Sequence, residues 1–207
     1  MISNSLIEST LQPYGVAIAP DFADKVRAYI SLLLKWNKTI SLTTVTDPIE
    51  ILKFHFGESI FAASVVSFGK SRLADVGSGA GFPGLALSIV APDVTATLID
   101  SNTKKCAFLS EVARGLGLPN VTVFRGRMKE FPPKSHAFDF VAARALGQFD
   151  ELLAWSKEHL TSAGKVVLWL GEADSGEISK GRGWKWDGPV LIPGSEQRCL
   201  LVGSRRS

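Results

Sequence analysis

Cysteine and histidine are scarce in this chain, and their positions argue against the sites that they usually build. The two cysteines, Cys106 and Cys199, stand far apart and show no paired spacing for a metal ion or a disulfide. The three histidines also lack the spacing of metal ligands; they are His55, His136 and His159. We therefore expect no metal site, and we expect both thiols to lie in the core.

Long apolar runs, repeats and low-complexity segments are absent as well. No stretch of the sequence could span a bilayer, and the first residues lack the basic start and apolar core of a signal peptide. We expect a cytoplasmic protein without a membrane partner. With 45% hydrophobic and 21% charged residues, the 207-residue chain is long enough for one α/β domain and a small extension.

Basic residues are unevenly distributed. The net charge of +3 is too small to require a nucleic-acid partner by itself, but the whole basic excess lies in residues 71–207. Five basic residues follow two predicted strand ends, at the edge where open α/β sheets bind ligands; they are Arg125, Arg127, Lys129, Lys134 and Arg144. Such a basic rim favours binding of a phosphate backbone. An ordinary solvated loop with scattered charges is an equally good interpretation.

Hydrophobic periodicity divides the chain into two parts. Apolar residues at spacings of three and four predict an amphipathic helix over 21–38, and a second helix is predicted to begin at Pro48. We assign residues 1–70 to an N-terminal helical extension. In residues 71–207, strands alternate with helices. The predicted strands cover 72–76, 94–99, 120–125, 138–143 and 164–170, and the predicted helices cover 82–90, 103–116 and 148–159.

The end of the chain is predicted to close the sheet. Two antiparallel strands, 187–192 and 197–203, follow a bridge rich in glycine and serine from 171 to 183. Alternating strands and helices with short connections predict an α/β fold with a doubly wound, mostly parallel sheet. Its ligand should lie at the carboxyl ends of the strands.

The segment 75–84, DVGSGAGFPG, predicts a buried strand that breaks into a glycine loop and then a helix. Gly77, Gly79 and Gly81 stand at alternate positions, where they let the backbone turn sharply and approach a ligand closely. Pro83 can begin the following helix because its missing N–H is not needed there. This layout predicts a cofactor-dependent enzyme.

Two cofactors suit the glycine loop. Gly79, Gly81 and Gly84 alone fit the G-x-G-x-x-G pattern of dinucleotide-binding folds, which leaves NAD as an alternative. Asp75 favours S-adenosylmethionine, because a carboxylate suits the cationic methionyl end of that cofactor. The same carboxylate would suit the pyrophosphate of NAD poorly. We therefore predict S-adenosylmethionine as the cofactor.

Two further charged residues are predicted at the same edge. Asp100 ends the second strand, where it can accept both ribose hydroxyls of either cofactor or, alternatively, cap the helix over 103–116. Arg144 ends the fourth strand and can face the cofactor or the substrate. Its alternative role is an ion pair with an acid such as Asp139 or Asp150.

Several stretches together resemble a known family. They are the loop 75–84, the neighbouring segments 35–38 and 41–43, and residues 143–145. Over nearly its whole length the chain is similar to the glucose-inhibited division protein B family, which comprises bacterial small-subunit rRNA methyltransferases. The ending Gly-Phe-Pro-Gly of the loop is far more specific than a generic glycine turn.

The resemblance implies a class I methyltransferase (Rossmann-like) fold and methyl transfer from S-adenosylmethionine to nitrogen-7 of guanine 527, in the 530 loop of 16S rRNA. The implied partner is 16S rRNA or the small ribosomal subunit, and no DNA partner is expected. Carried over by position, the resemblance places five residues at the cofactor, with Met128 and Lys129 beside the adenine; the five are Gly77, Phe82, Met128, Lys129 and Arg144.

This sequence departs from the family pattern at several positions, among them Lys129, where the family often has an acid. Glu58 replaces an aspartate, Ser41 replaces an asparagine, and Leu170 replaces a lysine that would provide a basic RNA contact. Gly57, beside Glu58, is expected to weaken its helix by about 1 kcal/mol relative to alanine. These departures leave open whether other lysines bind RNA or whether the substrate has changed.

The implied chemistry needs few side chains. Nitrogen-7 of guanine has a lone pair and no proton to lose, so no general base is required. We expect catalysis to come from alignment of the reactants, which can contribute about 7 to 11 kcal/mol, with Arg144 as the single side chain considered for a direct role. An arginine bound to both O6 and nitrogen-7 would occupy the reacting lone pair, so recognition must use O6 or the opposite edge.

Aromatic residues next to lysines and arginines suggest two RNA surfaces. One contains Trp36, for which packing against the catalytic domain is the favoured alternative. The other contains Trp184 and Trp186. A small-molecule methyltransferase, an NAD-dependent oxidoreductase and an RNA-binding protein without catalysis remain as alternative functions.

Overall fold

The computed structural model describes residues 2–17, 19–132, 137–145 and 147–206. Its centre is a sheet of seven strands: β1 Arg72–Val76, β2 Thr95–Asp100, β3 Val121–Arg125, β4 Phe138–Arg144, β5 Leu160–Gly171, β6 Trp184–Leu191 and β7 Arg198–Arg205. Their order across the sheet is β3-β2-β1-β4-β5-β7-β6. Strands β1 to β5 pair in parallel, and β7 lies antiparallel between β5 and β6. The predicted fold class is therefore confirmed.

The strand order reverses between β1 and β4, where the chain crosses from one half of the sheet to the other. Open α/β sheets bind ligands in the crevice at this switch point, outside the carboxyl ends of the strands. The glycine loop follows β1, and Arg144 ends β4. The fold therefore brings both to the same edge.

The helices either flank this sheet or belong to the N-terminal extension. They are α1 Asn4–Leu11, α2 Phe22–Asn37, α3 Pro48–Glu50, α4 Glu58–Ile60, α5 Ala62–Val65, α6 Gly84–Val90, α7 Thr103–Gly115, α8 Phe149–His159 and α9 Glu172–Ile178. A π-helical stretch, Ile51–Gly57, joins α3 to α4. Helix α9 lies within the predicted Gly- and Ser-rich bridge. Its sequence contains Gly176, which lowers helix propensity, so local pattern did not predict it.

Two hydrophobic clusters cover the two faces of the sheet. Leu73 and Ala74 are adjacent in β1 but belong to different clusters, as expected because successive strand side chains point to opposite faces. The extension packs into the first cluster, with Phe22, Tyr29 and Leu33 of α2 fully or almost fully buried. The second cluster holds α8 and the residues after β3.

The two cysteines lie in the core, as the sequence predicts. Cys106 and Cys199 are buried free thiols. Across the described ranges, no helix is long and apolar enough to cross a membrane. The same part of the chain has no group of three potential ligands that could hold a metal ion. His136 lies outside the described residues.

Candidate active site

The glycine loop after β1 turns with three left-handed residues. Gly77, Gly79 and Gly81 have φ angles of 74°, 55° and 88°, a region that residues with a Cβ rarely adopt. The N–H groups of Gly77 and Ser78 both donate to the Ile99 carbonyl, at 2.9 and 3.1 Å. The loop is therefore fastened to the end of β2, with the tight turn that the glycine spacing predicts.

The helical extension supports this loop from behind. The Tyr29 hydroxyl donates to the Ala80 carbonyl at 2.6 Å, and a Cβ at Gly81 would collide with that hydroxyl. The Phe82 ring stacks on the rings of Tyr29 and His55, with centroids 5.1 and 5.0 Å apart. Phe82 is only 7% exposed, so its side chain lies beneath the loop, and its contact with a cofactor stays a prediction.

Two segments that carry the family resemblance lie beside this aromatic stack. The Asn37 side chain accepts the Leu42 N–H at 2.8 Å, and the Thr43 hydroxyl contacts His55 Nε2 at 2.7 Å. Burial lowers the pKa of His55 to about 4, so the ring is neutral near pH 7. Ser41, one of the departures from the family pattern, is exposed.

Asp75 lies behind the loop rather than at the ligand-binding surface. It is fully buried, and its Oδ2 accepts the N–H of Gly84 at the start of α6, at 3.0 Å. Its Oδ1 has no hydrogen-bond partner among the described residues. Burial raises the pKa of Asp75 to about 7 in spite of the Gly84 N–H. The side chain thus ties β1 to α6, and its contact with the cationic end of a cofactor stays a prediction.

Asp100 connects the end of β2 to the loop. Its Oδ2 accepts the Gly79 N–H at 2.9 Å, and its Oδ1 accepts the Asn102 N–H at 2.8 Å. The N-cap of α7 is Asn102, whose Oδ1 accepts from the N–H groups of Lys104 and Lys105. The capping alternative for Asp100 is therefore wrong. Each carboxylate oxygen keeps a second lone pair for a ligand hydroxyl.

A cavity of about 580 Å³ opens at the carboxyl ends of β1 and β2, within the usual range for small-molecule pockets. We call it the first cavity. Four predicted cofactor residues line it, namely Gly77, Asp100, Met128 and Lys129. The last two belong to a 3-10 turn, Met128–Glu130, that follows β3. The structure therefore brings residues from three separate elements to one pocket.

The lining of the first cavity fits the adenosine part of S-adenosylmethionine. Ile99 and Met128 offer apolar surface to a ring, and the Asp100 carboxylate offers acceptors to hydroxyl groups. The Lys129 ammonium does not point at a buried partner, because it pairs with the partly exposed Glu151 at 3.0 Å. This lining offers a nucleoside mainly backbone groups, one carboxylate and apolar side chains.

Arg144 ends β4, and its guanidinium contacts the helical extension. It donates to the Phe54 carbonyl at 2.5 Å and to Glu58 Oε2 at 2.9 Å. Glu58 is therefore the ion-pair partner, and the acids named in the sequence-based alternative, Asp139 and Asp150, are the wrong ones. Arg144 does not line the first cavity, and its contact with the cofactor stays a prediction.

Glu58 is buried between two arginines. Its Oε2 pairs with Arg144 at 2.9 Å and its Oε1 pairs with Arg198 at 2.8 Å. Burial raises the pKa of Glu58, and the two guanidinium groups oppose that rise. Sequence analysis missed Arg198. It begins β7 opposite Gly171 of the antiparallel β5, so the predicted antiparallel pairing was the signal that places it at the ligand-binding edge.

A second cavity, of about 600 Å³, lies beside Glu58. The loop after β4 separates it from the first cavity, since Gln148 lines the first and Gly147 and Phe149 line the second. Ala145 in this loop has a φ of 54°, which is uncommon for a residue other than glycine. The two cavities therefore share one wall.

The predicted basic rim is only partly at the surface. Arg127 and Lys129 line the first cavity and are exposed, and Arg125 is exposed beside them. Arg144 instead lies in its buried ion pair. Lys134 lies outside the described residues.

The two tryptophan surfaces proposed for RNA are largely packed. Trp36 donates to Glu111 Oε2 at 3.1 Å and lies 5.9 Å from the Phe108 ring, so it packs on α7 as the favoured alternative predicts. Trp184 is 1% exposed and stacks on Trp186. A base cannot stack on a buried ring, so the prediction that Trp184 binds RNA is wrong.

Comparison with solved structures establishes the fold. A SAM dependent methyltransferase from Aquifex aeolicus is similar, with a TM-score of 0.62 at 19% identity, covering 84% of this chain and 97% of that one. A ribosomal protein L11 methylase from Lactobacillus delbrueckii subsp. bulgaricus has a TM-score of 0.62 at 16% identity, covering 75% of this chain and 80% of that one. Identities this low support the class I methyltransferase fold and nothing finer.

Comparison of sequences establishes the family. The model described as rRNA small subunit methyltransferase G matches residues 23–184. The protein named Ribosomal RNA small subunit methyltransferase G from Pseudomonas aeruginosa (strain LESB58) is 39% identical over 156 residues, 75% of this chain and 71% of the relative. Its namesake from Escherichia fergusonii is 35% identical over 173 residues, 84% of this chain and 82% of the relative. The chain therefore belongs to the rRNA small subunit methyltransferase G family and is an S-adenosylmethionine-dependent methyltransferase.

Proposed function

We propose that this chain methylates nitrogen-7 of guanine 527, in the 530 loop of 16S rRNA, with S-adenosylmethionine as the methyl donor. The observation that carries the proposal is the first cavity, where Gly77, Asp100 and Met128 meet at the switch point of the sheet in a chain of this family. The substrate is 16S rRNA, free or in the small ribosomal subunit, and the reaction takes place in the cytoplasm.

The first cavity holds the cofactor in this proposal. Asp100 accepts the ribose hydroxyls, and Met128 and Ile99 contact the adenine. Gly79 and Gly81 let the cofactor approach the loop backbone closely. Asp75 and Phe82, which are buried and do not line the cavity, support the loop from behind. When bound, S-adenosylmethionine supplies an electrophilic methyl group on a positively charged sulfur.

The residues at the site do not need to move a proton. Nitrogen-7 of guanine attacks through a lone pair, so the chain has only to hold the base in line with the methyl group and to exclude water. Arg144 suits a positioning task, because its contacts with Phe54 and Glu58 fix the end of β4 between the two cavities. Arg144 lines the second cavity and not the first, and its contact with the cofactor is part of this proposal.

The surface next to the first cavity supports an RNA substrate. Arg125 and Arg127 are exposed there, and their charges would favour a phosphate backbone at the mouth of the site. A small molecule would need no such rim. We also propose that residues 1–70 act as the helical extension and residues 71–207 as the methyltransferase domain.

The test combines binding with methyl transfer. Calorimetric titration should show binding of S-adenosylmethionine and not of NAD, and Asp100→Asn should weaken that binding while Asp93→Asn, an exposed acid before β2, should not. Tritiated methyl transfer to small subunits that lack this methylation should label 16S rRNA. Reduction and aniline cleavage at nitrogen-7-methylated guanine should then map the label to the 530 loop.

Each part of the proposal has its own contrary result. Cofactor binding with label in another molecule would assign a different acceptor. Label in 16S rRNA outside the 530 loop would keep the RNA substrate and overturn the target. Failure of Asp100→Asn to weaken binding would overturn the ribose assignment.

A further inference from the structure

The second cavity lies where a methyl acceptor must approach. Its lining adjoins that of the first cavity just after β4, where Gly147 and Phe149, the first residue of α8, form part of its wall. Its volume of about 600 Å³ exceeds what a few trapped waters require and lies within the range of ligand pockets. A group in this cavity therefore lies next to residues that adjoin the lining of the first cavity.

Apolar residues cover part of the cavity wall. Phe149, Leu170 and Ile192 contribute side chains that suit the flat faces of a nucleobase. Enzymes that modify a base take it out of its stack, hold it between aromatic or apolar side chains and bind its Watson–Crick edge by hydrogen bonds. Leu170, the residue that replaces the family's lysine, belongs to this apolar surface.

The charged part of the wall comes from Glu58, which pairs with Arg144 and Arg198, and from two carboxylates of α9. Asp174 and Glu177 are three positions apart, so they share one helix face, and both line the cavity. Both residues are exposed, and in the ranges that the structure describes neither carboxylate has a hydrogen-bond or ion-pair partner. Glu58 differs, because both of its oxygens are already paired with arginines.

Free carboxylates select for a particular ligand edge. An ionised carboxylate only accepts hydrogen bonds, and guanine is the base whose Watson–Crick edge carries two adjacent donors, N1–H and the N2 amino group. The cavity lining carries three carboxylates against the two guanidinium groups of Arg144 and Arg198, so it does not attract phosphate, and the RNA backbone would remain outside, near the exposed Arg125 and Arg127. Binding at N1 and N2 leaves the nitrogen-7 lone pair on the far side of the base unoccupied, as the reaction requires.

We propose that the second cavity receives the target guanine and that Asp174 and Glu177 determine its specificity by accepting hydrogen bonds from N1–H and the N2 amino group. This inference rests on the proposed function, because it assumes a guanine acceptor. It assigns to α9 the choice of base, while the first cavity provides the methyl donor.

The first test removes the negative charges. Asp174→Asn and Glu177→Gln, singly and together, should lower kcat/KM on small subunits by about 10- to 100-fold for the pair, the loss typical of a two-point base contact. Affinity for S-adenosylmethionine should be unchanged, which also shows that the variants are folded. Glu172→Gln is the matched control, because Glu172 is exposed on the same helix but does not line the cavity.

The second test changes the base. Inosine lacks the N2 amino group but keeps nitrogen-7, so subunits reconstituted with inosine at the target should be methylated more slowly by the original chain. The Asp174→Asn, Glu177→Gln double variant should methylate inosine-containing subunits nearly as fast as it methylates guanine-containing ones. If inosine slowed methylation by the same factor in the double variant as in the original chain, the inference would be overturned. Absence of methylation of guanine-containing subunits by the unchanged chain would instead overturn the proposed function.

Discussion

The ring of Tyr14 fills the space in which a Cβ on Gly57 would stand. The Tyr14 hydroxyl also donates to the Lys53 carbonyl at 3.1 Å, which fixes the ring over the π-helical stretch. From helix propensity alone Gly57 is a weakness, whereas in the folded chain it makes room for an aromatic side chain. Packing therefore explains why a glycine stands here in spite of its low helix propensity.

Gly57→Ala should destabilise the protein. Helix propensity predicts a gain of about 1 kcal/mol, but the collision with Tyr14 should cost about 1–3 kcal/mol and determine the sign. Urea unfolding should show the lower stability, and the same substitution should become stabilising in a Tyr14→Ala background. A stabilising effect of Gly57→Ala beside the intact tyrosine would contradict this explanation.

Glu58→Gln should lower the free energy of unfolding by about 3–5 kcal/mol. The change leaves the buried Arg144 without a counter-charge and beside a second arginine, the situation in which loss of one partner is most costly. Glu58→Asp, which restores the family's residue and keeps the charge, should cost less. Glu50→Gln on the exposed side of α3 serves as the control in chemical denaturation. Equal stability of the Glu58→Gln and Glu58→Asp variants would show that the charge is not what matters.

Asp75 should make the protein less stable as the pH rises. Burial raises its pKa from 3.8 to about 7, so between these values the folded state keeps a proton that the unfolded state has lost. Its contribution is therefore complete below pH 4 and decreases by about 1.4 kcal/mol per pH unit up to pH 7. Asp75→Asn should flatten the pH profile of the free energy of unfolding over this interval, and the exposed Asp93→Asn should not. An unchanged slope in Asp75→Asn would refute the buried, protonated carboxyl.

Lys129 should contribute little to cofactor affinity through its side chain. Its ammonium pairs with Glu151 at an exposed site, where ion pairs are worth about 0–1 kcal/mol. Calorimetry should give Lys129→Ala a Kd within about threefold of the original. Met128→Asp, which puts a charge on the cavity wall, should weaken binding more than tenfold. A similar loss in both variants would mean that the ammonium itself touches the ligand.

Much of the fold could be predicted because strands and helices have different hydrophobic periods. Strand β1 has the predicted bounds, and β2 to β4 agree within one residue at each end. Helix α9 could not be predicted, since Gly176 and three acidic residues hide its pattern, and only Ser175 is buried. Local patterning determines an element when one of its faces is buried, and α9 has almost no such face.

The candidate site was predictable where it depends on strand ends and was missed where it depends on long-range pairing. Gly77 and Asp100 follow β1 and β2, and the topology alone brings them together. The partner of Arg144 is 86 positions earlier in the chain, on a helix whose position no local pattern gives. Trp184 was misjudged because basic neighbours suggest a surface, although its place in β6 puts the ring against Trp186.

The contacts of Tyr29 with Ala80 and Phe82 join two parts of the chain that have different tasks. Because these contacts hold both α2 and the glycine loop, occupation of the loop by a ligand and docking of α2 are energetically coupled, and the coupling is reciprocal. A ligand that favours the ordered loop must favour the docked helix by the same free energy. Any partner that bound only the docked form of α2 would then strengthen binding at the glycine loop.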